Sequence, residues 1–427
     1  MLYRVRPSRL QGGITIPPSK SHTLRAILFA TMAHGQSVIR NYLPSPDTQA
    51  MLRACTLLGA KFEVEKESLR IDGVGGLPST PADVIDAGNS GQVLRFVAAV
   101  AALTSGYTVL TGDESIRTLR PVQPLLEGLS GLGVLAVSTQ GNGSAPIIVK
   151  GPMLGGMTRL DGADSQPVSA LLIAAAFAKE PTVIEVTNPG EKPWIDLTLD
   201  WLRRLGIAYE REGYTHYTLV GNAAYAGFDY TVPGDFSSCA FPLVAALITG
   251  SPISLHNLDM QDAQGDKALI EILQDIGADI VVDAENKALH VRSAAPLMGK
   301  TIDVNQCIDA LPILAVLACY ATGDTTLTGA AIARKKESDR ISAITQALQV
   351  MGATIVEFED GMRISPTPLV GAVVPSFSDH RIAMALTVAG LAARGETVIE
   401  NTACVAKSYP DFLASMQGLG ADMVRVL

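Results

Sequence analysis

The chain has 427 residues, 48% of them hydrophobic and 18% charged, which excludes a disordered protein and calls for two or more domains with sizeable cores. Its formal net charge is −9 with no basic block, so a nucleic-acid surface and an anionic-lipid surface are excluded, and any cations that matter must act locally. Five cysteines (Cys55, Cys239, Cys307, Cys319, Cys404) without metal or CxxC spacing predict a reduced, cytoplasmic protein, and the six scattered histidines predict no metal site. No stretch reaches the roughly 18 apolar residues of a membrane helix, and the first thirteen residues lack the apolar core of a signal peptide.

Tyr3–Ile16 reads as a strand. Pro17-Pro18 ends it, because proline fixes its own φ and restricts the residue before it. Ser19 and Ser21 both suit a helix N-cap, and the apolar run Leu24, Ala26, Ile27, Leu28, Phe29, Ala30 follows. Lys20 and Arg25 therefore stand near the positive end of a helix. A cation is unfavourable there unless an anion is held between it and the backbone N–H groups.

From here one pattern recurs six times: an amphipathic helix ending in an apolar residue and Gly, then a strand. The instances are Leu58-Gly59-Ala60, Leu132-Gly133-Val134, Leu205-Gly206-Ile207, Ile276-Gly277-Ala278, Met351-Gly352-Ala353 and Leu419-Gly420-Ala421. The glycines lie 74, 73, 71, 75 and 68 positions apart, a near-constant spacing that makes an internal repeat. Each unit also carries a helix apolar on nearly all sides, beginning near Ser21, Ser90, Ser165, Ser237, Asp309 and Asp379; such a helix is buried. Six units predict two α/β globules of three units each. The first covers residues 20–234. The second covers 1–19 and 235–427, with hinges near 17–20 and 232–235.

The starts of the buried helices share polar chemistry: Lys20-Ser21 with Arg25, Asn89-Ser90-Gly91-Gln92 with Arg95, Asp164-Ser165-Gln166, Asp235-Phe236-Ser237-Ser238, Asn305-Gln306 with Asp309, and Asp379-His380-Arg381. Parallel packing would bring these N-termini to one cleft, positive despite the acidic chain. Arg117-Thr118-Leu119-Arg120-Pro121, Arg334-Lys335-Lys336-Glu337-Ser338-Asp339-Arg340 and Lys407 add cations just ahead of helices. Glu337 and Arg340, three apart, share a helix face. Arginine forks suit phosphate and carboxylate, and carboxylates among cations are acid–base candidates. Neither GxGxxG nor GxxxxGK[ST] occurs. The expectation is an enzyme of small, multiply anionic metabolites that uses no metal, nucleotide or other cofactor.

In this order the motifs resemble the enolpyruvyl transferase family of 5-enolpyruvylshikimate-3-phosphate synthase: Pro18-Ser19-Lys20-Ser21, Gly88-Asn89-Ser90-Gly91, Arg117-x-x-Arg120-Pro121, Ser165-Gln166, Gly234-Asp235, Asp309-Ala310, Lys336-Glu337-Ser338-Asp339-Arg340, Asp379-His380-Arg381 and Lys407. The resemblance spans the chain. It implies two inside-out, barrel-like α/β domains, each of three βαβαββ-type units, closing over substrate. It also implies transfer of the enolpyruvyl group of phosphoenolpyruvate to the 5-hydroxyl of shikimate 3-phosphate, releasing phosphate, in a cytoplasmic monomer of the shikimate pathway. By resemblance Asp309 is the base on the hydroxyl, and Lys20 and Glu337 are the candidate proton donors. Lys20, Ser21, Arg25, Ser165, Gln166, Asp309 and Lys336 would hold shikimate 3-phosphate. Lys20, Gly91, Gln92, Arg120, Gln166, Arg340, Arg381 and Lys407 would hold phosphoenolpyruvate.

Three positions depart from the family pattern. Gln92 stands where Thr is usual, and Asp164 and Glu191 stand where phosphate-binding serines are usual. The two acids should weaken phosphate binding unless Lys192 or another cation compensates. The rival family is UDP-N-acetylglucosamine enolpyruvyl transferase, but that family has Lys-Asn where this chain has Lys20-Ser21 and a reactive cysteine in the loop matching 111–121, where this chain has none. A non-catalytic anion-binding relative would find support only in Asp164 and Glu191.

Overall fold

A computed structural model describes residues 1–292 and 296–426. The chain forms two units, residues 18–232 and residues 1–17 with 233–427, each with its own hydrophobic core. The breaks fall two residues ahead of those read from sequence, for local reasons. Ser19 accepts a hydrogen bond from the His22 N–H (3.4 Å) and so caps the first helix of its unit. Beyond the second break, the Gly234 N–H donates to the Asn257 carbonyl (3.0 Å) and the Asp235 N–H to the Pro17 carbonyl (2.9 Å).

Among the described residues each unit contains three four-stranded sheets. One plan recurs: a buried helix joins two parallel strands, a surface helix follows, and a hairpin adds two antiparallel strands. Gly91–Ala101 thus joins Ile85–Asp86 to Tyr107–Thr111, and Ser165–Phe177 joins Gly156–Asp161 to Thr182–Thr187. The first sheet of 18–232 is completed from the far end of the unit, where Asp229–Thr231 pairs parallel with Gln36–Arg40. In the other unit the N-terminus completes two sheets. Leu2–Val5 lies antiparallel between Thr397–Glu400 and Met423–Val426, and Gly12–Thr15 pairs parallel with Ile253–His256. The single strand expected over Tyr3–Ile16 is therefore two strands in two sheets. Pro7, which cannot donate to a ladder, lies between them, and Gly12 turns the chain at φ +87°.

The six buried helices are Lys20–Met32, Gly91–Ala101, Ser165–Phe177, Phe236–Thr249, Leu311–Ala318 and His380–Ala392. Past their first turns nearly every residue is buried, as all-round apolarity requires. Side chains of Ser19, Ser90, Asp164, Asp235 and Asp379 cap five of them. The fifth differs. Asp309 is not a cap but lies in the 3-10 turn Asn305–Ala310, kinked at Cys307, that leads into Leu311–Ala318. The six repeat glycines, 59, 133, 206, 277, 352 and 420, all take positive φ, between 69° and 107°, so each ends its surface helix in a conformation that a side chain would strain. No helix among the described residues is long and apolar enough to cross a membrane.

Candidate active site

In residues 18–232 the starts of three buried helices carry Lys20, Ser21, Arg25, Gly91, Gln92, Ser165 and Gln166. Lys20 Nζ is 3.6 Å from Asp47 Oδ2, and the Ser90 hydroxyl donates to the same oxygen (3.0 Å). One buried carboxylate thereby ties the starts of the first two buried helices together. Arg95 links the second and third: Nη1 donates to Gln166 Oε1 (3.0 Å) and Nη2 approaches Asp164 Oδ2 (3.2 Å). Arg120 is buried and donates to the Asn89 carbonyl (3.2 Å) and to Asn89 Oδ1 (3.3 Å). Gly91 stands among these groups. A Cβ there would meet Arg95 Nη1 at 2.6 Å, Arg120 Nη1 at 3.1 Å and Gln166 Oε1 at 3.5 Å.

Arg25 is fully buried, yet its hydrogen-bond partners among the described residues are all neutral. Nε and Nη2 donate to Thr198 Oγ1 (3.0 and 2.9 Å), Nη2 to the Trp194 carbonyl (3.2 Å) and Nη1 to the Ser21 carbonyl (3.3 Å). The guanidinium lies 5.0 Å from the Phe96 ring centroid. Burial pulls its pKa down to about 9. A buried cation without a counter-ion invites an anionic ligand.

The two acids that depart from the family pattern are both absorbed internally. Asp164 caps the third buried helix through Gln166 N (2.9 Å) and faces Arg95. Glu191 is buried in left-handed backbone (φ 43°) and accepts from both the N–H (3.0 Å) and the hydroxyl (3.1 Å) of Ser165. Of the cations that could compensate, Arg95 faces Asp164 at 3.2 Å, while Lys192 Nζ lies 5.5 Å over the Tyr214 ring.

In residues 233–427 a denser array forms around Arg340, which is 1% exposed. Its Nη1 donates to Asp309 Oδ1 (2.6 Å), Nη2 to Glu337 Oε2 (2.8 Å) and Nε to Asp379 Oδ2 (2.8 Å). Lys407 Nζ donates to Glu337 Oε1 (2.5 Å), and Arg381 Nη2 to Asp309 Oδ2 (3.0 Å). Burial alone would lower the Arg340 pKa, but the charges of Asp379, Glu337 and Asp309 outweigh it and push it up. Arg381 Nε and Nη1 are buried without a hydrogen-bond partner, two more donors turned to no acceptor among the described residues. Glu337 and Arg340 pair, though not on a helix face as the spacing suggested. The helix begins only at Arg340, capped by Asp339, and Glu337 lies in the loop before it. Lys336 sits half-buried at the end of the 3-10 turn Ala331–Lys335, and Lys407 ends the 3-10 turn Thr402–Lys407.

Sequence reasoning missed three carboxylates here. Asp47, in the first turn of the helix Pro46–Leu57, reads in sequence as an ordinary dipole partner. Asp379 reads as a cap, yet it also holds Arg340. Asp266, in the 3-10 turn Gly265–Lys267, carries no signal in sequence because its importance comes from burial. Burial pushes the Cys55, Cys319 and Cys404 thiols up to about 12 and those of Cys239 and Cys307 further, so none of the five is poised as a thiolate nucleophile.

Two α/β units of repeated sheet and buried helix, with arginines and carboxylates gathered at the helix starts, are the architecture of a solved class of transferase. A structure of the EPSP synthase from Acinetobacter baumannii matches with a TM-score of 0.83 and 30% identity, over 99% of this chain and 100% of that one. The profile of the EPSP synthase (3-phosphoshikimate 1-carboxyvinyltransferase) family matches residues 5–416, and the chain belongs to that family. Relatives named 3-phosphoshikimate 1-carboxyvinyltransferase include those of Acetivibrio thermocellus, 44% identical over 423 residues (99% of both chains), and Chlamydia caviae, 44% identical over 426 residues (99% of this chain, 94% of the relative).

Proposed function

We propose that this chain transfers the enolpyruvyl group of phosphoenolpyruvate to the 5-hydroxyl of shikimate 3-phosphate, as an enzyme of the shikimate pathway, with the residues above in the following roles. The 5-hydroxyl oxygen attacks C2 of phosphoenolpyruvate while Asp309 takes the hydroxyl proton and the methylene carbon C3 gains one. The tetrahedral intermediate then loses a proton from C3 and expels phosphate, which restores the double bond. Lys20 and Glu337 are the groups that can deliver the C3 proton. Lys20, Gly91, Gln92, Arg120, Gln166, Arg340, Arg381 and Lys407 hold phosphoenolpyruvate; Lys20, Ser21, Arg25, Ser165, Gln166, Asp309 and Lys336 hold shikimate 3-phosphate. Fixed cations facing the developing negative charge lower the barrier because they need no reorganisation during reaction. We place the enzyme in the cytoplasm as a monomer.

The observation that carries this reading is the run Arg381–Asp309–Arg340–Glu337–Lys407. One carboxylate is held rigidly by two guanidiniums and a second by a guanidinium and an ammonium. That arrangement supplies a fixed base and a second acid–base group among anion-binding cations. Arg25, buried without a counter-ion, supports an anionic acceptor substrate. The acceptor is tested by following phosphate release from phosphoenolpyruvate with shikimate 3-phosphate and, separately, with UDP-N-acetylglucosamine. Release with the first alone is expected; release with the second alone would transfer the assignment to the rival family.

Gly91 gives a sharper test of the phosphoenolpyruvate contacts. A Cβ 2.6 Å from Arg95 Nη1 must displace that guanidinium, which also holds Gln166, and it crowds Arg120 Nη1 at 3.1 Å. Overpacking of this kind costs about 1–3 kcal/mol, equivalent to roughly 5- to 150-fold in affinity. Gly91→Ala should therefore raise KM for phosphoenolpyruvate by at least about fivefold, with a smaller change for shikimate 3-phosphate. Equal rises for both substrates would show that Gly91 does not belong to the phosphoenolpyruvate pocket.

A further inference from the structure

Asp266 is used by none of these roles, yet it is among the most deeply buried carboxyl groups of its unit, at 2% exposed. Its turn, Gly265–Lys267, packs on the turn Asn305–Ala310 that carries Asp309 and on the start of the fourth buried helix. Oδ2 accepts a hydrogen bond from the Ser237 hydroxyl, and Oδ1 is buried without a hydrogen-bond partner among the described residues. No lysine or arginine among the described residues is hydrogen-bonded to it. The nearby Lys267 Nζ donates instead to the Met260 and Asp262 carbonyls (3.1 and 2.6 Å). The charged and titratable groups facing Asp266 are Asp309 and Cys307 on the neighbouring turn, Asp235 at the start of the fourth buried helix, and Arg381 on the sixth. Glu271 and Asp275, on the helix Ala268–Asp275 that continues its own turn, are exposed.

A buried carboxyl with one hydrogen bond and no bonded cation favours its neutral form. A neutral Asp266 leaves Arg381 to Asp309. An ionised Asp266 would repel Asp309 and attract Arg381, whose buried Nε and Nη1 have no other acceptor among the described residues. We propose that Asp266 is a positioning residue for the enolpyruvyl reaction, an un-ionised acid whose neutrality keeps Arg381 bonded to Asp309 and so fixes the base. This rests on the role given above to Asp309. Burial first, and the Asp309 charge second, push the Asp266 pKa from 3.8 up to about 8. The arrangement is therefore intact at neutral pH and fails as the medium becomes alkaline.

The stability linkage has a definite sign. The folded-state pKa of Asp266 lies above its unfolded value, so its contribution is fully present below about pH 4 and is lost progressively as pH rises through about 8. Asp266→Asn cannot ionise and should remove that loss. Two measurements on the full chain test the proposal: melting temperature against pH without substrate, and kcat/KM against pH. Parent melting should fall more steeply between about pH 4 and 8 than that of Asp266→Asn. Between about pH 7 and 9 the parent should lose roughly tenfold in kcat/KM and Asp266→Asn less than about twofold. Parallel melting curves would show that Asp266 is not a buried neutral acid. Divergent melting curves with superimposable kcat/KM profiles would show that it does not act through Asp309. Either result overturns the proposal. A parent that never turns over would overturn the enolpyruvyl roles themselves, and the substrate-free melting comparison tells that failure apart.

Discussion

Arg340→Met should lower stability by about 3–5 kcal/mol, the cost of removing one partner from a buried ion network. The reason is arithmetic of charge. Three carboxylates, Asp309, Glu337 and Asp379, converge on this one guanidinium at 2.6–2.8 Å, and Asp379 is fully buried. Without Arg340, Asp309 and Glu337 each lose a bonded guanidinium, and Asp379 loses the cation bonded to it. For a unit of this size the loss corresponds to about 10 °C in melting temperature. Arg340→Lys should recover part of the stability but not the geometry, because an ammonium cannot reach three carboxylates as a planar fork does. Differential scanning calorimetry reads both. A methionine variant melting within about 2 °C of the parent would show that the network is far weaker than its geometry implies.

Asp309→Asn should lower kcat by about 10²- to 10⁴-fold, the usual contribution of a general base. Asparagine keeps an oxygen for Arg340 and an almost unchanged shape, and although its NH2 replaces the oxygen that accepts from Arg381, the fold and substrate binding should survive. The change therefore belongs in kcat, with both KM values within about threefold of the parent. Steady-state kinetics separate the two parameters. A kcat within about threefold of the parent would remove Asp309 from the proton-transfer role.

The repeat was legible because its signals are local. A glycine ending each surface helix in positive φ and a helix apolar on all faces are written in short windows, and the structure carries both six times over. The fold class follows from them. The N-terminal strands were not legible in the same way. Leu2–Val5 and Gly12–Thr15 join different sheets because their partners lie hundreds of residues away, at Thr397–Glu400 and Ile253–His256. Cations at helix starts could be picked out one by one, and Asp309 and Glu337 with them, but the other carboxylates among them could not. Asp47, Asp266 and Asp379 look like routine turn and cap residues until packing excludes water from them. The Glu337–Arg340 pair illustrates the limit: the spacing suggested a contact that does exist, but through a loop residue and not along a helix face. Glu191 illustrates it again. An acid expected to repel phosphate holds the first N–H of the third buried helix in place.

Enolpyruvyl transfer from phosphoenolpyruvate to shikimate 3-phosphate is checked by counting products. Purified protein is incubated with both substrates, phosphate is quantified, and the enolpyruvyl ether is identified by mass spectrometry. One ether per phosphate released is predicted, with neither product formed when either substrate is omitted. Phosphate released without ether, or at the same rate without shikimate 3-phosphate, would contradict the account.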